Sequence, residues 1–293
     1  MNMILSVLNI TAPVFLLAAV GFTWVKLGFE YRVEFVTRLT MTLSVPCLIF
    51  VALMKTKIEP EALAALTLAS LVAYIIVMAA SFALVKLAKL DIRTFLAPLV
   101  FGNTGNLGLP LALFAFGEDG FGYAVVVFAV MAIMSFTIGV WIVSGGGSLK
   151  RVVQEPLVGA TLLGALFLWQ GWETPIVLTN TLELIGQMAI PIMLITLGVA
   201  VARLETKAMT QAMWLSVVKV IICVAASLAA ANWFGLDPVP TAVLIVQIAT
   251  PVAVTSYLLA EKYGADAQPV AGLVVASTLL SVVYLPLILA FVI

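Results

Sequence analysis

Long apolar runs follow one another along almost the whole chain, and this succession limits the fold more than any other feature of the sequence. A helix needs about 20 apolar residues to cross the roughly 30 Å hydrocarbon core of a bilayer. Ten such runs are present, at residues 4–25, 33–54, 62–86, 94–117, 121–144, 157–172, 180–202, 208–233, 239–260 and 268–292. The connections are short, so the sequence predicts an all-α membrane protein of ten helices without a soluble domain.

The composition indicates lipid as the solvent and excludes several functions. Hydrophobic residues make up 64% of the chain and charged residues 10%, whereas a soluble domain has about 45–50% and 25%. The net charge of zero argues against a nucleic-acid partner. The chain has no histidine, the commonest zinc ligand and proton shuttle. Cys47 and Cys223 lie within apolar runs, so we expect no cofactor and no metal beyond a coupling Na⁺.

Lysine and arginine are unevenly divided between the two sets of alternating loops. Eleven fall on one side, namely Lys26, Arg32, Arg38, Lys86, Lys89, Arg93, Lys150, Arg151, Arg203, Lys207 and Lys262. The other side has only Lys55 and Lys57. Basic loops face the cytoplasm, which predicts that both termini lie outside it. The first residues lack the positive patch of a signal peptide, so we expect the first run to be a retained helix.

Similar features recur at half the chain length. The pairs are Pro13 with Pro156, Pro46 with Pro191, and Gly117 with Gly264, separated by 143, 145 and 147 residues. These offsets predict two copies of a five-helix unit, at residues 1–148 and 149–293. Because five is odd, the second copy enters the membrane from the opposite face. Inverted repeats of this kind are common in secondary transporters.

Two of the predicted helices contain helix-breaking residues near mid-membrane. Helix 4 has the sequence FGNTGNLGLP at residues 101–110, and helix 9 has QIATPVAVTSY at residues 247–257. Peptide groups freed by such breaks are costly in lipid unless they line a cavity or contact protein. Paired interruptions in two halves point to a transport site. The alternative is that small residues only let helices pack closely.

Several other polar residues within the apolar runs are candidates for binding a coupling ion. Lys219 is about 12 residues into helix 8, hence roughly 18 Å deep. It either attracts an anion or supports coupling, or it is a structural lysine bonded to the carbonyls of a broken helix. Gln187 and Gln247 either bind a cation through oxygen or make one interhelical hydrogen bond. Carboxylates occur only near the ends of runs, as with Glu183 and Glu261.

The break sequences are similar to those of a known family. The segment 103–110, NTGNLGLP, followed by Gly117 and Tyr123, resembles the first crossover motif of the auxin efflux carrier family. The segment 250–253, TPVA, followed by YLLA at 257–260, resembles its second crossover motif. The resemblance covers the whole chain, and the short loop at 145–156 is typical of a bacterial member.

The resemblance implies a fold shared with bile-acid–sodium symporters, in which helices 4 and 9 are broken and cross. It also implies a scaffold domain of helices 1, 2, 6 and 7, and a transport domain of helices 3–5 and 8–10 that moves as an elevator. The expected location is a bacterial inner membrane, and the expected partners are an organic anion such as auxin, malonate or malate, and a second copy in a homodimer. Thr255 departs from the family, since many members have an asparagine there.

These observations predict a secondary carrier of a small carboxylate by alternating access. The expected substrate-binding residues are Asn103, Thr104, Gly105, Asn106, Pro110, Thr250, Pro251, Thr255, Ser256 and Tyr257. An alternative is a sodium-coupled symporter in which Gln247 and Thr104 hold Na⁺, with Lys219 and Gln187 as further coupling candidates; the coupling ion is otherwise H⁺ or none. A channel or an intramembrane enzyme is a weaker alternative, because a ring of charges and the usual catalytic motifs are absent.

Overall fold

The computed structural model describes residues 3–55, 58–146, 156–203 and 209–292, and within these ranges the chain is helical without a β-strand. The helices of the first half are α1 (Met3–Lys26), α2 (Val33–Leu39), α3 (Val45–Lys55), α4 (Pro60–Leu87), α5 (Ile92–Val100), α6 (Leu109–Met134) and α7 (Val140–Ser144). Those of the second half are α8 (Pro156–Gln170), α9 (Ile176–Gln187), α10 (Ala189–Arg203), α11 (Met209–Phe234), α12 (Pro238–Ile248), α13 (Val254–Tyr263) and α14 (Ala267–Val292). Single π-helical turns occupy Thr40–Ser44, Thr104–Gly108 and Ser135–Gly139.

Six stretches of the described chain are helical, long and apolar enough to cross a membrane. They are Val33–Lys55, Glu61–Leu87, Thr104–Ser144, Ile176–Arg203, Met209–Phe234 and Ala267–Val292. Three shorter apolar helices are Ala12–Lys26, Gly159–Gln170 and Pro238–Ile248. The chain is therefore a multi-pass membrane protein. The count of ten spans stays a prediction, and Lys57, Lys150, Arg151 and Lys207, used to predict the orientation, lie outside the described residues.

A glycine divides the longest of these stretches. Gly117 has φ 67° and ψ −159°, so the chain turns inside α6 at this point. A side chain would strain this conformation, which glycine adopts freely. Gly117 is also the residue at which the sequence predicts the end of helix 4. The 41-residue stretch Thr104–Ser144 therefore combines the second part of predicted helix 4 with predicted helix 5.

Pro46 and Pro191, the repeat-related prolines of predicted helices 2 and 7, lie just after interruptions of those helices. Pro46 is the second residue of α3 and follows the π-helical turn Thr40–Ser44. Pro191 is in the first turn of α10, which begins two residues after α9 ends at Gln187. Proline has no N–H to donate, so the first turn of a helix accepts it at little cost.

The helices pack in two groups. In the first group α1 lies along α10, and α3 contacts α8 and α9. In the second group α4 and α14 pack on α11, and α12 packs on α6. Two glycines bring α1 and α10 into close contact. A β-carbon at Gly198 would overlap the main chain of Ala18, and one at Gly21 would overlap the main chain of Ile195. Here small residues do serve close helix packing.

We expect the substitution Gly198→Leu to separate α1 from α10 and to destabilise the protein by at least about 1–3 kcal/mol, the usual cost of overpacking. Thermal unfolding of the purified protein in detergent measures the effect. Gly159→Leu is the matched control, because Gly159 is exposed on α8 and a β-carbon there meets no atom within 4 Å. Equal stability of the two variants would contradict the close contact.

Candidate functional site

Both predicted helix breaks are present. The first lies between α5, which ends at Val100, and the π-helical turn that begins at Thr104. Its residue Phe101 has an extended main chain, with φ −95° and ψ 117°. The second lies between α12, which ends at Ile248, and α13, which begins at Val254. Each break therefore leaves one helix C-terminus and one helix N-terminus inside the protein.

The two breaks contact each other through their main chains. The Asn103 N–H donates to the Pro251 carbonyl at 2.7 Å, and Gly102 pairs with Val252 as an isolated antiparallel bridge. A β-carbon at Gly102 would overlap Thr250. Peptide groups that the breaks release thus bond to one another inside the protein. We call these two segments, residues 101–103 and 249–253, the junction.

Buried polar side chains surround the junction without protein partners. Asn103 Nδ2, Thr104 Oγ1 and both amide atoms of Gln247 have no hydrogen bond, although Thr104 and Gln247 are fully buried. Gln247 packs against Gly108, in the π-helical turn that follows the first break, where a β-carbon would overlap the Gln247 amide. Buried polar groups in native proteins are normally hydrogen-bonded. Four such atoms beside two helix breaks make this region the candidate ligand-binding site.

The second break is held by side chains from two other helices. Lys219 of α11 donates from Nζ to the Thr250 carbonyl at 2.9 Å, and Ser277 of α14 accepts from the Val252 N–H at 2.9 Å. Thr250 Oγ1 donates to the Gln247 carbonyl at 2.7 Å. The Lys219 contact is the one expected for a lysine bonded to a broken helix. Ser277 was not predicted, because a single serine in an apolar helix carries no signal for a partner in another helix.

Asn106 and Thr255 lie together at one side of the junction. Both are half-buried and line a small cavity of about 30 Å³. The other walls come from α2, the adjoining π-helical turn, α10 and α13, through Val33, Thr37, Thr40, Met41, Met193, Thr196 and Val254. The Tyr31 hydroxyl bonds to Thr196 at 2.6 Å. Burial raises the pKa of Tyr31, and this hydrogen bond offsets part of that rise.

A much larger cavity, of about 650 Å³, lies beside α3, the end of α9 and the start of α10. Its lining is mainly apolar, with Leu48, Val51, Ala52, Leu113, Phe121, Gly122, Gly186, Ile190 and Pro191. Its charged residues are Glu118, Asp119, and the ion pair of Lys55 with Glu183. Gln187 opens to this cavity and is exposed, so the structure does not place it with Gln247.

The other predicted residues have packing positions around the junction. A β-carbon at Gly105 would lie 2.9 Å from the Phe128 ring. Pro110 is buried in the first turn of α6. The Ser256 N–H donates to the Ala253 carbonyl at 3.0 Å, at the start of α13. Tyr257 is half-buried one residue further on. Among the described residues, no group of three or more Cys, Asp or Glu is placed to hold a metal ion.

The sequence profile of the family described as membrane transport protein matches residues 6–152 and 144–289, which together span nearly the whole chain. The chain belongs to this family, the auxin efflux carrier family. It is therefore a membrane transporter, and the family resemblance seen in the break motifs is confirmed.

Curated relatives of this transporter are named as transporters. A proposed malonate transporter of Rhizobium meliloti (strain 1021) is 25% identical over 262 residues, which cover 82% of this chain and 81% of the relative. An uncharacterized transporter of Methanothermobacter thermautotrophicus is 28% identical over 192 residues, or 63% of each chain. Another uncharacterized transporter, from Methanocaldococcus jannaschii, is 24% identical over 200 residues, or 64% of each chain.

Proposed function

We propose that this transporter is a secondary carrier of a small organic anion, with its binding site at the junction. The observation that carries the proposal is the set of unpartnered polar groups there. Asn103 Nδ2 and Gln247 Nε2 can only donate, and the Thr104 hydroxyl can also donate. Two helix N-termini, at Thr104 and Val254, add main-chain N–H groups that favour an anion. A carboxylate accepts hydrogen bonds from such donors.

The substrate class has support from a relative. The Rhizobium meliloti relative is a proposed malonate transporter, and malonate carries two carboxylates on one carbon. The amide and hydroxyl donors at the junction can donate hydrogen bonds to such a small dianion. We therefore propose a dicarboxylate or an auxin-like acid as substrate, with no resident cofactor and no catalytic step.

The two cavities support alternating access. The small cavity adjoins residues 33–41 of the chain and the large one adjoins residues 48–55, so they lie at successive levels along α2 and α3. Both lie between the first helix group (α1–α3 and α8–α10) and the second (α4–α7 and α11–α14). We propose that the first group is the scaffold and that the second slides along it as an elevator. The large cavity would then close while the small one opens.

Matching features in the two halves support the inverted five-helix repeat with crossing broken helices. A short helix precedes each break, α5 with 9 residues and α12 with 11. A glycine with positive φ follows each break, Gly117 with 67° and Gly264 with 68°. We propose the division at residues 1–148 and 149–293. From the basic loops we also propose that both termini lie outside the cytoplasm. From the family resemblance we propose a bacterial inner membrane location and a homodimer as the assembly.

Uptake by proteoliposomes tests this function. Purified protein should accumulate radiolabelled malonate above the level of empty liposomes, and unlabelled dicarboxylates should compete while a choline-sized cation should not. A thermal-shift screen against dicarboxylates and indole acids should show stabilisation by the transported class. The proposal would be contradicted if cations stabilised the protein and were taken up while no carboxylate did either. Discrete single-channel currents would indicate a channel instead.

A sodium-coupled symporter is the second candidate, and the oxygens of Gln247 and Thr104 favour it. Gln247 Oε1 and Thr104 Oγ1 are buried without partners, and oxygen atoms are the ligands of hard cations. The candidate predicts that replacing Na⁺ by choline at constant pH abolishes malonate uptake. An unchanged uptake rate under this replacement excludes sodium coupling and leaves proton coupling or uniport.

A further inference from the structure

Lys219 has an unusual environment for a buried cation. It lies in the middle of α11 and is 1% exposed. Its Nζ donates to the Thr250 carbonyl at 2.9 Å and contacts Cys223 Sγ at 3.8 Å. No carboxylate is within ion-pair distance of it in the part of the chain that the structure describes. A charge buried in a membrane protein normally has a partner of opposite charge or a functional role.

The partner of Lys219 is a carbonyl just beyond the end of a broken helix. α5 ends at Val100 and α12 ends at Ile248, and both C-termini lie at the junction. Helix C-termini carry unsatisfied carbonyls and about half a negative charge each. Carbonyl oxygens turned into a buried space are the arrangement that binds a metal cation in membrane proteins. The ammonium group of Lys219 donates to a carbonyl of the break itself, that of Thr250, two residues beyond the end of α12.

We propose that the Lys219 ammonium is the resident cation of the junction and takes the place of a coupling metal ion. It balances the carbonyl ends of α5 and α12, so the unpartnered donors of Asn103 and Gln247 remain available to an anion. A second cation beside it would be repelled, which makes transport independent of Na⁺. This inference rests on the proposed function and decides between its two candidates.

The test compares two substitutions that remove the charge in different ways. Lys219→Ala removes the charge and leaves space, whereas Lys219→Met removes the charge and fills the space. Lys86→Ala is the control, since Lys86 is exposed in the last turn of α4. Thermal unfolding in detergent is measured in NaCl, in choline chloride and with n-propylammonium chloride, and malonate uptake is measured in the same salts.

The wild type should unfold at the same temperature in Na⁺ and in choline, and so should Lys86→Ala. Lys219→Ala should unfold at a lower temperature and transport malonate about tenfold more slowly, because it loses a cation at a partly buried helix end. Propylammonium or Na⁺ should restore it, because either cation fits the space left by the lysine. Lys219→Met should lose as much stability and transport activity, and neither cation should restore them.

Two results would overturn the inference. One is a wild type whose stability or uptake rises with Na⁺ and not with choline, and this result decides the matter even if both Lys219 variants fail to fold. The other is a folded Lys219→Ala protein that neither cation stabilises, as expected for a merely structural lysine. Failure of malonate uptake together with the expected thermal pattern would refute the substrate class and leave the resident cation supported.

Discussion

Asn103→Ala is expected to abolish malonate uptake while the protein remains folded in the membrane. The main-chain N–H of Asn103 makes the contact with Pro251, and this bond is independent of the side chain. The side-chain Nδ2 has no protein partner, so its removal breaks no internal hydrogen bond. A hydrogen bond to a charged ligand contributes about 1.5–3 kcal/mol, which corresponds to a loss of about 10–150-fold in binding.

The measurement is initial-rate uptake in proteoliposomes, with thermal unfolding of the same preparation. Asn180→Ala serves as the matched control, since Asn180 is exposed on α9 and should transport normally. Asn103→Asp adds a second test. A carboxylate at this position repels an anion and attracts a cation, so it should abolish malonate uptake as well. Near-normal uptake by Asn103→Ala, or enhanced uptake by Asn103→Asp, would count against an anion site at the junction.

The position of the two breaks could be predicted from the sequence, because their cause is local. Glycine, asparagine and proline within an apolar run weaken a helix at that point, and residues 101–110 and 247–257 both contain them. The end of helix 4 at Gly117 was predictable for the same reason. Most predicted helix ends lie within three residues of the ends in the structure, because the sequence changes sharply there from apolar to polar residues.

The partners across the junction were not predictable from the residues alone. Asn103 and Pro251 are 148 positions apart in the sequence, and no local pattern selects that pairing. The resemblance to a family with crossing helices supplied the expectation. Ser277 and the cavity beside Glu118 and Asp119 were missed, because a contact between distant helices depends on how they rotate about their axes. The same reason separates Gln187 from Gln247, which the sequence shows only as two amides in apolar runs.

The close approach at Gly102 leads to the other large effect. A β-carbon at this position would meet the Thr250 side chain and would lie 2.9 Å from the Thr250 carbonyl oxygen. Thr250 cannot move away, because its carbonyl accepts a hydrogen bond from Lys219 and its hydroxyl donates to the Gln247 carbonyl. We therefore expect Gly102→Ala to separate the two breaks and to expose their peptide groups in a low-dielectric interior. Each peptide group left unbonded there costs several kcal/mol.

Gly102→Ala should accordingly lower the unfolding temperature strongly and abolish transport, as measured by thermal unfolding and by uptake. Gly272→Ala is the matched control: Gly272 is also buried, yet a β-carbon there would meet its nearest atom, in Ala212, at an ordinary 3.6 Å. A double-mutant cycle with Thr250→Ala identifies the cause. Because that change removes the overlapping hydroxyl, the pair should be more stable than the sum of the single effects by about 0.5–3 kcal/mol. Additive losses would show that Gly102 is required for its backbone flexibility and not for this contact. The site would then form without contact between the two breaks.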